Sequence, residues 1–396
     1  MEVDSGRNGT GHGQIAGPDE EIPAGGDAKR SREEGGRNTT TTCQEDEDED
    51  NDYYNDDSNF LDSYRTTWAT NYGKNDGSFE DETAIPPMQH TDGPVLPISS
   101  WPMEVLQIFS VKVTEIKGSD LEWPLRVYGI VAVRDSLDHK RNFLFRRDRD
   151  NCQTLASPQA SITFYIFIFP MIYANTGQSS TLETVSKSKD SSLTLTGPSR
   201  AVVLINPVMF EVDLKVITHN NSGLPLSESE EDDKVLSYNA FFYDGVAHMN
   251  NTGFARRSVE STEHSTMEFV FAHLIFAVEA TIAVRVIEGS TDFRARLTAR
   301  TAGIDEDVVL LDSGDGKVAV VNDDDDSGPL VVLQRRVVVV EEKGSLILGV
   351  EAAEIGSEEI VTRQVHIRPR HALRSRCGFN LGFCRMSVMI AWSVLP

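Results

Sequence analysis

The chain is predicted to be all-β. The expected fold is an antiparallel β-sandwich behind a disordered N-terminal tail. Three observations lead there. Strand-like stretches follow one another at short intervals from Trp101 to the C-terminus. The breaks between them are rich in Gly, Asp, Asn and Pro, the residues of tight turns. No apolar pattern holds helical spacing for several turns, so the strands have only each other to pack against.

Residues 1–100 form the tail. They hold 23 Asp/Glu and 7 Lys/Arg, a net of −16 out of the chain's −25. With few branched apolar residues, such a segment cannot bury enough surface to offset its ordering entropy. The acidic run Glu45–Asp50 is followed by Tyr53, Tyr54, Phe60 and Leu61. That mixture suits either docking on a basic partner or plain solvation of the tail. The rest of the chain holds 39 Asp/Glu and 30 Lys/Arg, a net of −9. A nucleic-acid partner needs a basic face, so none is expected.

The strands begin with Val105–Ile116. Phe109, Val111 and Val113 alternate with Ser110, Lys112 and Thr114, the pattern of a half-buried strand. Lys117–Asp120 breaks it, and Leu125–Val133 resumes as a second strand with Pro124 at its start. The two are expected as a hairpin or as neighbours in one sheet. Asn142–Arg146, Ala201–Ile205, Val208–Ile217 and Val235–Tyr243 follow, then Met267–Phe271, Val278–Ile287, Phe293–Arg300 and Val308–Leu311. Lys317–Val321, Leu330–Val340, Leu346–Ala352, Ile360–Ile367 and Met386–Leu395 complete the set. Ser222–Asp233 is an acidic loop and Asn322–Asp326 a solvated linker.

An internal repeat runs through these strands. LQIFSVKVTEIKGSD is echoed by VEATIAVRVIEGSTD, and LRVYGIVAVRDSLD by FRARLTARTAGIDED. TGPSRAVVLINPVMFEVDLKV is echoed by GPLVVLQRRVVVVEEKGSLILGVEA, in the same order. The repeat implies two similar β-units, residues 101–250 and 265–396; one large sandwich is the alternative. Pro158–Asp190 fits neither, with Phe164, Tyr165, Phe167 and Phe169 crowded into a polar region. It reads as an insertion or as an extra buried strand.

The pieces LQIFSVKVTEIKGSDLEWPLRVYGIVAVRDSLDHKRNFLFRRDRDNCQTL, LTLTGPSRAVVL and FAHLIFAVEATIAVRVIEGS, with the C-terminal GFCRMSVMIAWSVL, resemble a plant family catalogued as a domain of unknown function, number 6598. The resemblance covers nearly all of Val105–Pro396 apart from Pro158–Asp190. It implies no established activity, only a loose association with ribosome-inactivating proteins, which depurinate ribosomal RNA. Such a site needs a Glu–Arg pair on a helix. The nearest string, Glu351–Glu354, lacks the Arg and reads as a strand end.

Arg134, Asp135, Asp138, Arg141 and Asn142, with His139, form a dense polar loop. These are the candidate binding residues, read either as a ligand surface or as structural Arg–Asp pairs. Calcium would need six or more oxygens at regular spacing, which the loop does not offer. Asp312–Gly316 resembles a calcium loop but lacks its last ligands, so a turn is expected. Cys377 and Cys384 are spaced too widely for a zinc pair, even beside His366 and His371. Cys152 is expected to be a buried thiol and His273 a core or inter-strand histidine. No catalytic residue, metal or cofactor is expected.

Four Cys in 396 residues are no disulfide framework. The N-terminal residues lack a signal-peptide pattern. The longest apolar run, Ile162–Tyr173, is broken by Pro170 and too short for a membrane helix. A soluble cytoplasmic or nuclear protein is expected. Its expected function is non-catalytic binding of a protein or carbohydrate partner. An rRNA N-glycosidase or other hydrolase, or a calcium-dependent membrane-docking domain, are the alternatives.

Overall fold

The longest element is a strand, β9 (Ser265–Gly289), and the architecture is built on its two halves. The first half pairs with β1 (Met103–Ile116) on one edge and β8 (Ala255–Ser261) on the other. β5 (Val202–Val203) lies outside β1. The second half pairs with β14 (Val337–Glu341) and β18 (Cys384–Ser393), and β17 (Arg374–Asn380) lies outside β18. The short β12 (Val320–Val321) and β13 (Leu330–Val331) also join this half. The halves meet beside Phe276, which is exposed and has φ +49°, a backbone region bulky residues rarely adopt.

This computed structural model describes residues 60–93, 100–158, 191–218, 232–246, 253–322 and 328–395, all within the compact unit Tyr54–Pro396. The first 59 residues of the expected tail lie outside the described residues. So do 159–190 of the expected insertion, most of the acidic loop Ser222–Asp233, and Asp323–Asp326 of the linker.

A second sheet accompanies each half of β9, five-stranded beside the first half and four-stranded beside the second. One has the order β3 (Asn142–Arg147), β2 (Leu125–Arg134), β6 (Val208–Val216), β7 (Lys234–Tyr243), with β4 (Gln153–Leu155) beside β2. The other has the order β11 (Val308–Asp312), β10 (Phe293–Thr301), β15 (Leu346–Glu354), β16 (Val361–Ile367). The strand order is the same in both. Within the nine-stranded sheet built on β9, the runs β8-β9-β1-β5 and β17-β18-β9-β14 correspond likewise. Each sequence echo falls on corresponding strands: β1 with the second half of β9, β2 with β10, and β5–β6 with β13–β15.

Two hydrophobic cores result. Leu106, Ile108, Val111 and Val113 of β1 pack with Val127, Val131 and Val133 of β2, and with Phe210 and Phe269. Ile282, Val284 and Val286 of β9 pack with Leu297, Leu348, Val350 and Trp392. Thus β1 and β2 face each other across a core and belong to different sheets, neither the hairpin nor the neighbouring pair expected; residues 117–124 carry the chain from one sheet to the other. Because Met267, Phe269 and Phe271 belong to the first core, the boundary between the units falls inside β9, later than the break at 250–265.

Polar contacts cross that boundary. Gln107 and Glu279 stand at corresponding repeat positions, and both are buried. Gln107 Oε1 accepts from Val339 N (2.8 Å). Glu279 Oε2 accepts from Ala201 N (2.8 Å). Arg335 is buried and donates to the carbonyls of Ile108 (2.7 Å) and Phe109 (3.3 Å). It lies in the break between β13 and β14, so Leu330–Val340, expected as one strand, forms two.

Part of the expected tail is folded. Phe60–Asn71 forms a helix, α1, with Leu61 and Trp68 buried. Phe60, Tyr64, Trp68 and Tyr72 repeat every fourth residue, so their rings share one face. Leu61, Trp68 and Phe79 pack on Met209 of β6 and Ala240 of β7, on the side of that sheet away from its core. Residues 73–93 continue as an irregular strap. Met88 N donates to Glu279 Oε1 (2.7 Å), and Thr91 Oγ1 donates to Trp392 O (2.9 Å).

Candidate functional site

Arg134 closes β2, Arg141 precedes β3, and Asp135 to Lys140 form the turn between them. The structure brings all five candidate residues together. Arg134, Asp135, Arg141 and Asn142 are buried and Asp138 is half-buried, so their bonds are made inside the protein.

Two carboxylate centres hold the cluster. Glu211 of β6 is fully buried. Its Oε2 accepts from Arg134 Nη2 (2.7 Å) and its Oε1 from Arg141 Nη2 (2.5 Å). Asp135 forms a fork with Arg200, at 2.6 and 2.9 Å, and also accepts from Val203 N (2.9 Å). Asp138 accepts from Arg200 (3.2 Å) and from Thr83 Oγ1 (2.5 Å). Asn142 ties Arg200 O and Ser199 N into the same corner, at 3.0 and 2.8 Å.

The protonation equilibria follow from burial and pairing. Burial opposes the charge on Arg134 and lowers its pKa despite Glu211. Burial also opposes the charges on Arg141 and Arg200. Glu211 and Glu80 outweigh it for the first, Asp135 and Asp138 for the second, so both pKa values rise. Burial pushes the Glu279 carboxyl up, against two backbone N–H donors that favour its charged form.

What the cluster holds is the strap. Arg134 Nη2 donates to Phe79 O (2.7 Å), and its guanidinium lies 3.8 Å from the Phe79 ring centroid. Arg141 pairs with Glu80, and Arg146 lies 3.5 Å from Glu82. Trp68 Nε1 donates to His139 O (2.8 Å), and the His139 ring stacks on Tyr72 at 3.9 Å. Three arginines of one sheet face therefore hold the run Phe79–Glu82.

The corresponding face of the second unit is open. Outward-facing residues of β10, β15 and β16 form cross-strand rows: Arg296, Glu351, Thr362; Thr298, Gly349, Gln364; Arg300, Ile347, His366. Gly349 has no side chain at the centre of the middle row, where a Cβ would stand 2.8 Å from Thr298 Oγ1. The result is a groove of about 170 Å³ bordered by Arg296, Arg300, Glu351 and Asp307. Arg296 donates to Asp312 (2.8 Å). Arg300 forms an ion pair with Asp307 at 3.6 Å, and its Nε is buried without a hydrogen bond.

The remaining candidates fall elsewhere. His273 is buried in β9, 3.0 Å from Glu104. Cys377 and Cys384 lie on β17 and β18 as free thiols. Burial raises both pKa values, that of Cys384 to about 11. Cys152 is a half-buried free thiol at the end of a short 3-10 turn. Gly314 N donates to Asp312 Oδ1 (3.0 Å) in a tight turn. Among the described residues, no three His, Cys, Asp or Glu side chains converge as a metal site requires, and no helix is long and apolar enough to cross a membrane.

Sequence reasoning missed Glu211, Glu279, Arg200 and the groove. A signal existed for the acids. Each is a carboxylate set within an apolar stretch of strand, where burial demands a partner.

A family model described as domain of unknown function (DUF6598) matches residues 105–165 and 177–390. The match breaks only over 166–176, inside the insertion expected at 158–190. The strap lies N-terminal to it. No curated protein matches the chain. Among solved structures, extended synaptotagmin 2, with its SMP and paired C2 domains, aligns at 8% identity and TM-score 0.23, over 74% of this chain and 57% of that one. Human GIVD cytosolic phospholipase A2 aligns at 9% identity and TM-score 0.23, over 75% of this chain and 31% of that one. The chain thus spans less than two thirds of either, and neither likeness is close enough to carry an argument.

Proposed function

Because the chain belongs to the DUF6598 family, a domain of unknown function, we propose its role from its surfaces: it is a non-catalytic interaction module that takes a protein or carbohydrate ligand. The observation that carries this reading is the contrast between two corresponding faces. The first face commits its arginines to the strap. The second is left uncovered, with a groove floored by Gly349 and lined by Thr298, Gln364, Glu351 and the ion-paired Arg296 and Arg300. A concave, hydrogen-bonding surface on a rigid sheet is suited to recognition. The thiols support a non-catalytic role, because burial keeps Cys377 and Cys384 protonated.

The test is affinity capture from cell extract with the full chain and with Gly349→Val as baits. Val is a good strand residue, and rotation of Thr298 can admit its Cβ, so the variant should fold. A saturable partner retained by the wild type and lost by Gly349→Val is the expected result. Equal retention by both baits, or nothing above background from monodisperse wild type, would sink the proposal.

A further inference from the structure

An edge strand presents unpaired N–H and C=O groups that can take on another strand. β16 is the edge of the sheet β11-β10-β15-β16, and among the described residues it pairs only with β15. From its register and sequence we infer that β16 is an interface for a second copy of this chain, paired antiparallel to it across a twofold axis at Gln364.

The edge lacks the usual protections. Its seven residues pair with β15 without a bulge, and none is Lys or Pro. Its counterpart in the first unit, β7, has a bulge in its pairing with β6, and α1 packs on it at Ala240. β8, another edge, carries Arg256, Arg257 and Glu260. The outward backbone groups of β16 follow from the ladder. Ala302 N donates to Ser345 O (2.9 Å) and Ile355 N to Asp292 O (3.0 Å), so odd-numbered residues of β15 bond to β10 and even-numbered ones to β16. The partners of the even-numbered ones are Val361, Arg363, Val365 and Ile367. Thr362, Gln364 and His366 therefore direct their backbone groups away from the sheet. Thr362 O accepts from Arg363 Nη1 (2.8 Å), an exposed side chain that an added strand would displace.

The sequence is complementary to itself. In an antiparallel pair centred on Gln364, Thr362 lies opposite His366 of the other copy, so outward backbone groups meet outward ones. Val361 lies opposite Ile367, both partly buried at the rim of the core. Arg363 lies opposite Val365, where its stem can cover the valine. Beyond the strand, the exposed Glu358 and Glu359 come against the exposed Arg368 and Arg370, twice over by symmetry. Among the described residues none of these four side chains is ion-paired. Centring one residue earlier would set Arg363 against Arg363; one later would carry Glu358 past Arg370 to Ala372. Thr362 and Gln364 also line the groove, so the pairing sets two grooves edge to edge. The inference does not depend on what the groove binds.

The experiment is sedimentation equilibrium of the full chain at low salt over the micromolar range, where a small interface is expected to associate. A monomer–dimer equilibrium weakened by salt is the expected result. Gln364→Pro removes an N–H that β15 does not use, and should weaken the dimer about tenfold or more. Two charge variants test the register. Glu358→Arg with Glu359→Arg makes both flanks basic, and Arg368→Glu with Arg370→Glu makes both acidic. Each alone should be monomeric over the same range, and an equal mixture of the two should dimerise. These substitutions lie outside the strand, so they decide the matter even if Gln364→Pro does not fold. Wild type that stays monomeric throughout would overturn the inference. So would a dimer unchanged by folded Gln364→Pro, or a mixture that associates no better than its components.

Discussion

Arg134 and Arg141 share one buried carboxylate, and that arrangement decides what substitution costs. With Glu211 replaced by Gln, Arg134 remains buried with no carboxylate to meet it, and Arg141 keeps only Glu80. Breaking a buried pair costs about 3–5 kcal/mol, so Glu211→Gln should lower the unfolding free energy by that order in urea titrations. A loss below about 1 kcal/mol would show that the pairs contribute little to the fold. Asp233 gives the pH dependence. Its side chain is buried against Arg149 (2.6 Å) and Tyr128 Oη (2.7 Å). Burial opposes its charge, but these partners outweigh it and hold the carboxyl below 3.8. A lowered carboxyl stabilises the fold above its ordinary value and loses that stabilisation as the pH falls through the folded one. Asp233→Asn should therefore cost about 1–2 kcal/mol at pH 7, with the gap to wild type closing below pH 3.8. A gap that widens in acid would contradict this. The candidate residues of the polar loop were legible as a cluster because their charges are adjacent in sequence. Their partners were not, because Arg200, Glu211 and Glu279 arrive from segments far along the chain.

Strands with a regular apolar alternation, such as β1, β10 and β15, were readable because one face of each is buried in a core. β8, β17 and β4 were not. The first two are edge strands carrying Arg, Ser and Glu, and their backbone bonds come from a neighbour instead of from their own pattern. α1 was missed because its aromatic stripe sits among Thr, Asp and Asn, whose weak helix propensity hides it. The helix forms because its rings bury themselves on Met209 and Ala240. Trp68→Ala should cost about 3–5 kcal/mol if strap and sheet unfold together. The same variant should make residues 73–93 cleavable by trypsin at Lys74 while the strands stay resistant. Resistance at Lys74 equal to that of the wild type would show that the strap is held without its helix.

At the scale of the molecule, the units share β9 and exchange contacts through Gln107, Glu279 and Arg335. Neither core can be dismantled without taking half of that strand from the other. A single thermal transition, with calorimetric and van't Hoff enthalpies in agreement, is the expected outcome; two resolved transitions would contradict it. The repeat was visible in sequence because three strand groups echo in order. The position of its boundary was not, because β9 reads as two strands when Phe276 interrupts the alternation. That same strand has a kinetic consequence. β9 must find β1 and β18, neighbours that lie far from it in opposite directions along the chain. Neither pairing is complete before most of the chain has been made, and closing such long loops is slow. During synthesis, a nascent first unit therefore waits with one edge of β1 unpaired, a state open to capture by a chaperone or an unwanted neighbour.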